Sequence, residues 1–199
     1  MRLALLCALC AMTACSGQPA DDAAQAPADV APQAQYSVAS PAPSPSPAVG
    51  RSYRYSSLTD CKLVREELDE MPYSESVCRG PAEWAVRIAD SDARQTLAVI
   101  APGGRESPLD LSQVNGGGFN SFGPTAEWRG PATEPFVPDS LIVRFHIAER
   151  AYPEPETAYL LAVRLLPTPC LAARIAPGSQ QNAIAREAAD RQRNCLQEG

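Results

Sequence analysis

Residues 18–49 cannot form a packed core, and this confines any folded domain to the remainder of the chain. The segment holds seven Pro, ten Ala and three Asp, with almost no large apolar side chain. Such a composition buries too little surface to offset the entropy of ordering. Pro alternates with small residues over 40–47, a pattern that favours polyproline II. We therefore predict a disordered linker over 15–50, whether it serves as a tether or as filler, and one globular domain over 51–199.

The first 14 residues have the layout of a secretory signal peptide. Arg2 supplies the positive charge, and residues 3–12 form an apolar run that is too short to span a bilayer as a mature helix. Residues 12–15, Met-Thr-Ala-Cys, follow directly. This order of a large aliphatic residue, two small residues and Cys resembles the lipobox of bacterial lipoproteins.

The lipobox resemblance implies that the Cys15 thiol carries a diacylglycerol and that the chain is cut before Cys15. It also implies that the new amine is acylated and that palmitate is among the attached fatty acids. Ser16 is not Asp, so the resemblance implies transport to the outer membrane, with the domain facing the periplasm or the cell surface. Several acyl chains anchor a protein far more firmly than one myristoyl group. In the alternative, an ordinary signal peptide is cut near Ala14 or Gly17, and Cys15 is incidental.

The cysteines of the domain predict two disulfides. Four remain once the signal peptide and the lipid-bearing residue are set aside: Cys61, Cys78, Cys170 and Cys195. An even number in an exported domain indicates pairing, and three connectivities are possible. We favour Cys61–Cys78 with Cys170–Cys195, because local pairs close first. A zinc site would need tight pairs such as C-x-x-C, and these spacings offer none.

Alternation of apolar and polar residues predicts strands in the middle of the domain. The clearest strand runs over 141–148, where Val143 faces the core and Ile142 and Arg144 face the other way. A second strand, 158–166, follows a proline-containing loop, so the pair predicts a long-looped antiparallel hairpin. Further strands are predicted at 84–88, 96–101, 126–129 and 171–175.

The last part of the chain predicts a helix that packs on the sheet. Ser179 or Asn182 can cap its start, since both side chains accept hydrogen bonds from free backbone donors. One face collects mostly small residues at helical spacing: Ile184, Ala185, Ala188, Ala189 and Cys195. The predicted fold class is therefore α+β, mainly antiparallel β-sheet with a C-terminal helix and two disulfides.

No residue is predicted to be catalytic. His146 is the single histidine, and it lies on the polar side of a predicted strand beside Arg144. The sequence contains no G-x-S-x-G, H-E-x-x-H or Ser-x-x-Lys pattern that would supply a nucleophile and an orienting acid. Without a second imidazole, His146 has no histidine partner for a metal. We predict no catalytic residue, no metal and no cofactor.

Four arginines sit in the middle of predicted strands, opposite a mainly apolar face: Arg87, Arg144, Arg164 and Arg174. If these strands are neighbours, the arginines form a row on the outer side of the sheet. Guanidinium forks match carboxylates and phosphates, so such a row would bind an anionic envelope ligand. The alternative, which we favour, is the solvated face of a one-sided antiparallel sheet.

Several short segments of the domain resemble uncharacterised exported proteins of proteobacteria. They are Tyr-Ser-Ser-Leu-Thr-Asp-Cys at 55–61, Val-Cys-Arg-Gly at 77–80, Ala-Glu-Trp-Arg-Gly at 126–130, and the ending that contains Cys170 and the Ala- and Arg-rich residues 182–190. This resemblance covers most of the domain. It implies export and carries no assigned activity or functional residue.

The overall charge and the signal sequence set the functional prediction. A formal net charge of −6 argues against nucleic-acid binding, which favours a basic excess. We expect an outer-membrane-anchored lipoprotein that acts as a non-enzymatic envelope module. It would contact the membrane through its lipid and bind or support an envelope protein or peptidoglycan. The alternative is a periplasmic hydrolase with a site that the motif search does not recognise.

Overall fold

The computed structural model describes residues 50–151, 153, 155–191 and 194–196. The predicted signal peptide, the lipidation site Cys15 and the linker up to residue 49 lie outside these described residues. Within them, no helix combines the length and the apolar character that a membrane crossing requires.

The described chain contains ten strands and two helices. The strands are β1 Arg51–Ser57, β2 Lys62–Glu67, β3 Tyr73–Arg79, β4 Ala85–Ser91, β5 Arg94–Ile100, β6 Glu106–Pro108, β7 Asn120–Pro131, β8 Ser140–Ile147, β9 Thr157–Arg164 and β10 Cys170–Ile175. The helices are α1 Ser112–Asn115 and α2 Gln181–Asp190.

All ten strands belong to one sheet, which is antiparallel at every contact but one. The order is β10-β9-β8-β7-β5-β4-β3-β2, with β1 paired to β7 and β6 paired to β5. The exception is the parallel contact between β5 and β7 at Arg94 and Asn120. This architecture confirms the predicted α+β class with a mainly antiparallel sheet and a C-terminal helix. The long-looped hairpin of β8 and β9 is also confirmed.

The long strand β7 holds the two halves of the sheet together. Its register with β8 shifts between Phe122 and Ala126, so the chain bulges there. Gly123 lies in this bulge, and a Cβ on it would come 2.9 Å from the Cβ of Arg144. A glycine at this point therefore lets β7 pass close to β8.

Apolar residues are buried on both faces of the sheet. One face carries the main core, which includes Trp84, Val86, Leu97, Trp128 and Phe145. On the other face, α2 packs Ala185, Ala188 and Ala189 against Ile142, Leu160, Ala162 and Ile175. Methyl side chains let the helix lie close to the strands. The prediction of a one-sided sheet, with Ile142 on its polar side, is therefore wrong where α2 covers β8, β9 and β10.

Both predicted disulfides are present. Cys61 pairs with Cys78 across a sequence separation of 17, and Cys170 pairs with Cys195 across 25. Loops of this length are worth about 3 kcal/mol each in the chain-entropy account of disulfides. The second bond fastens the segment after α2 to β10, beside a backbone hydrogen bond of 2.7 Å from Leu196 N to Leu171 O.

Helix α2 differs from its prediction at the start and on one face. Its N-cap residue is Gln180, and no side chain caps the helix, so the caps expected from Ser179 and Asn182 are wrong. Ile184 is 49% exposed and does not face the sheet. Gln181 occupies the buried position instead, because its amide nitrogen donates to the carbonyl oxygens of Ala158 at 2.8 Å and Ile175 at 3.1 Å.

Candidate functional site

Charged side chains, as well as methyl groups, are buried between α2 and the sheet. Arg129 on β7 is only 1% exposed. Its Nη1 donates to Glu127 Oε1 at 2.6 Å, and its Nε and Nη2 donate to the two carboxylate oxygens of Asp190 at 2.8 and 2.6 Å. Breaking such a pair would leave a buried charge without compensation, which is costly.

Arg51 on β1 extends this cluster to a third carboxylate, Asp139. Its Nη1 and Nη2 each donate to one oxygen of Asp139 at 2.6 Å, and its Nε donates to Asp190 Oδ1 at 3.0 Å. Paired N–H···O bonds of this kind are among the stronger hydrogen bonds in proteins. Asp190 therefore receives hydrogen bonds from arginines on two different strands.

Arg186 on α2 closes the cluster around Glu127. Its Nε donates to Oε1 at 2.9 Å and its Nη2 donates to Oε2 at 3.0 Å. The hydroxyl of Tyr55 donates to Oε2 at 3.2 Å and accepts from Arg186 Nη2 at 3.2 Å. The cluster thus joins three arginines to three carboxylates, Glu127, Asp139 and Asp190, and their formal charges cancel.

Burial and the neighbouring arginines have opposing effects on the pKa values of the buried carboxyl groups. Burial opposes ionisation of Glu127, but hydrogen bonds from Arg186 and Arg129 outweigh it and lower the pKa of this carboxyl group. Burial also opposes ionisation of Asp190, and Arg129 and Arg51 lower its pKa in the same way. Burial, together with the charge of Glu127, raises the pKa of Tyr55, so its hydroxyl stays protonated at neutral pH.

Beside Glu127 the surface opens into a cleft of about 270 Å³ between α2, β8 and the bulge of β7. Its polar lining comes from Tyr55, Glu127, Arg144, Asn182 and Arg186. Its apolar wall comes from Pro124, Ile142, Leu160 and Ala185. Pro124 and Thr125 in the bulge form one side of the cleft, and the short side chain of Ala185 leaves space on the helix.

Arg144 differs from Arg186, the other arginine that lines the cleft. It is half-buried, and its Nη1 donates to Gln181 Oε1 at 3.3 Å. Among the described residues, Arg144 contacts no carboxylate, and Gln181 is the one side chain to which it donates a hydrogen bond. Because the charges of the neighbouring cluster cancel, Arg144 leaves the cleft with one uncompensated positive charge.

The four arginines predicted to form a row are not brought together. Arg144 and Arg164 lie on the face that α2 covers. Arg144 is in the middle of β8, opposite Leu160, and Arg164 is at the end of β9, opposite Ser140. Arg174 belongs to the other face, where it lies 3.8 Å from the centre of the Tyr159 ring. It also contacts Glu149, with Nη2 3.4 Å from Oε1.

Arg87, the remaining member of the predicted row, lies on β4, which β5 and β7 separate from β8. Its guanidinium pairs with Glu106 at 2.9 Å and with Glu75 at 2.8 Å. An anion would have to displace these carboxylates. Of the predicted row, only Arg144 faces the cleft beside α2.

His146 lies away from the cleft. Its Nδ1 is 3.9 Å from Glu156 Oε2, and nearly a third of its side chain is exposed. Among the residues that the structure describes, no group of three or more His, Cys, Asp or Glu side chains is placed to hold a metal ion.

No pattern in the sequence identifies Arg51, Glu127, Arg129 or Asp190 as members of a buried charge cluster. Glu127 and Arg129 occupy alternate positions of a strand, a pattern that is equally typical of a solvated face. Only the position of α2 reveals that this face is covered.

Comparison with protein-family models, with curated proteins and with solved structures gives no match to this chain.

Proposed function

We propose that the domain is a non-enzymatic binding module that receives a carboxylate in the cleft beside α2. The observation that carries this proposal is the uncompensated guanidinium of Arg144 in a cleft whose other buried charges cancel. An anionic ligand would complete the charge balance. A guanidinium binds a carboxylate through parallel N–H···O bonds, which gives orientation as well as affinity.

The shape of the cleft limits the size of the ligand group. A volume of about 270 Å³ takes a terminal carboxylate and the few carbon atoms behind it, and it does not take a large folded surface. The wall of Ile142, Leu160 and Ala185 suits short aliphatic groups. The side-chain amide of Asn182 offers a further hydrogen-bond donor. A peptide with a free C-terminus has this chemistry, whether it belongs to an envelope protein or to a peptidoglycan stem.

The cellular setting of the proposal comes from the N-terminal sequence. The lipobox-like residues 12–15 and the Pro- and Ala-rich segment support a lipoprotein that is anchored to the outer membrane through Cys15. The two disulfides support an oxidising compartment such as the periplasm or the cell surface. In that setting, the linker lets the domain reach a carboxylate at some distance from the membrane.

The chemistry of the cleft supports binding rather than hydrolysis. Its carboxylate, Glu127, is paired with two arginines that lower its pKa, so it is a poor proton donor at neutral pH. We therefore propose a binding role and give no residue of the cleft a catalytic one.

Calorimetric titration of the full chain in detergent with N-acetyl-dialanine tests the proposal. We expect the free acid to bind and its C-terminal amide not to bind, with weaker binding as salt screens the charge. Arg144→Gln should reduce affinity about tenfold or more, the scale of a hydrogen bond to a charged group. Arg94→Gln removes an exposed arginine elsewhere and serves as the control.

The results separate the proposal from its alternatives. Equal affinity for acid and amide, or unchanged binding by Arg144→Gln, would contradict the proposed carboxylate site. Co-sedimentation with purified peptidoglycan, compared with capture by an immobilised peptide, distinguishes the two sources of the carboxylate.

A further inference from the structure

Arg164, at the end of β9, has an unusual partner. Its Nη2 donates to the Sγ atom of Cys195 at 3.0 Å. Its Nε is buried and has no hydrogen-bond partner, and no carboxylate contacts it among the described residues. A largely enclosed guanidinium whose contact is a neutral sulfur is poorly compensated. A thiolate at the same position would be a far better acceptor.

The two disulfides differ in their surroundings. Cys61 is partly exposed, but its partner Cys78 is only 1% exposed, and the Cys78 sulfur lies 4.0 Å from the carbonyl oxygen of Leu58. Cys170 and Cys195 are both partly exposed, and they border a cavity of about 530 Å³. Asp110, Gln113 and Thr168 also line this cavity, which is wide enough for a small dithiol to reach the bond.

We propose that Cys170–Cys195 is a thiol–disulfide exchange site, in which Arg164 stabilises the thiolate of Cys195 as the leaving group. The inference concerns a different site from the carboxylate cleft and does not depend on it. A cation beside a sulfur favours the thiolate form, and a better leaving thiolate makes exchange faster.

The reaction partner is a dithiol, and the exchange takes two steps. One thiolate of the dithiol attacks Cys170 Sγ, the bond to Cys195 breaks, and Cys195 leaves as a thiolate paired with Arg164. The second thiolate of the dithiol then attacks the dithiol sulfur of the mixed disulfide and releases Cys170 as a thiolate. The dithiol is oxidised to its disulfide, the protein disulfide gains two electrons, and the protons of the dithiol pass to solvent.

Reduction would release the segment after α2 from its covalent link to β10. The helix itself would stay on the sheet, because Asp190 remains held by Arg129 and Arg51. The backbone hydrogen bond from Leu196 to Leu171 would still join the released segment to β10. The exchange therefore changes the chain end without unfolding the domain.

Graded reduction of the full chain in detergent with dithiothreitol tests the inference, followed by acid quenching, alkylation and peptide mass spectrometry. In the wild type, Cys170 and Cys195 should become alkylated at a lower dithiol concentration than Cys61 and Cys78. In Arg164→Gln, opening of Cys170–Cys195 should require about tenfold more dithiol and should be slower. Arg94→Gln, the same change at an exposed arginine on β5, should leave the reduction of this bond unchanged.

Two results would overturn the inference. One is simultaneous opening of both disulfides in the wild type, and the other is a wild-type dithiol requirement in Arg164→Gln. Retained protection of Cys61–Cys78 shows that a variant is folded. If Arg164→Gln fails this check, Arg164→Lys replaces it, because lysine keeps the positive charge. In Arg164→Lys, Cys170–Cys195 should open at a lower dithiol concentration than Cys61–Cys78. The reverse order would also overturn the inference.

Discussion

Arg129 and Asp190 are 61 residues apart in the chain, and two hydrogen bonds of 2.8 and 2.6 Å join them across the contact between β7 and α2. Asp190 is the last residue of α2, the end at which the helix dipole disfavours a negative charge. The guanidinium groups of Arg129 and Arg51 outweigh this effect. Ion pairs therefore hold the end of the helix to the sheet, while Ala185, Ala188 and Ala189 contact the sheet by apolar packing.

Removing the charge of Asp190 should strongly destabilise the domain. In Asp190→Asn, the buried guanidinium of Arg129 loses one of its two anionic partners, the one that accepts two of its hydrogen bonds, and breaking a buried pair typically costs about 3–5 kcal/mol. Urea denaturation of the wild type and the variant measures the free energy of unfolding. Asp92→Asn is the control, because its ion pair with Arg94 is largely exposed and should be worth at most about 1 kcal/mol. A similar small loss in both variants would show that the buried cluster contributes little.

The same cluster predicts loss of stability in acid. The pKa values of Glu127 and Asp190 are lowered in the folded state, so the unfolded chain takes up protons first as the pH falls. Their contribution to stability should be complete at neutral pH, should decline once the pH approaches the ordinary carboxyl value of about 4, and should be lost below the lowered pKa values. Urea denaturation at a series of pH values measures this decline. It should be shallower in Asp190→Asn, and an equal slope in the variant would contradict the assignment.

A methyl group at residue 80 should be poorly tolerated. A Cβ on Gly80 would come 2.4 Å from Cζ2 of Trp128, a fully buried side chain of the main core. Such overpacking costs about 1–3 kcal/mol, because neither strand nor ring can move freely. Thermal melting of Gly80→Ala should therefore show a clear decrease. Gly178→Ala is the matched control, since nothing lies within 4 Å of its added Cβ. If both variants melt alike, Trp128 can yield to the added methyl group.

The proposed lipid anchor can be tested by metabolic labelling. Labelled palmitate should appear in the wild type and should be absent from Cys15→Ser, which should move to the soluble fraction because its acyl groups are missing. Cys10→Ser is the control, because Cys10 precedes the proposed cleavage position and should not alter the label. Equal labelling of wild type and Cys15→Ser would reject lipidation at Cys15, and no label in either would favour the ordinary signal peptide.

The elements that depend on near neighbours in the chain are predictable from the amino-acid sequence alone. Strand β8 is predictable because its apolar and polar residues alternate, and β9 follows it as an antiparallel partner after the long loop 148–156. The disulfides are predictable because each joins cysteines that are close in sequence, and local loops close at the smallest entropic cost. Strands β1, β2, β3 and β6 are not predicted. Most residues of β1 and β2 are exposed and show no clear alternation, β3 has three consecutive polar residues after Tyr73, and β6 has only three residues.

The contacts of the arginines on the polar face of the sheet depend on the tertiary structure. In sequence, Arg129, Arg144 and Arg164 look alike, each an arginine in or beside a strand with an apolar opposite face. Helix α2 and the segment after it give them different partners: Asp190 for Arg129, Gln181 and an open cleft for Arg144, and the Cys195 sulfur for Arg164. The physical reason is that the energy of a charge depends on the groups and the burial around it, and here those groups come from distant parts of the chain.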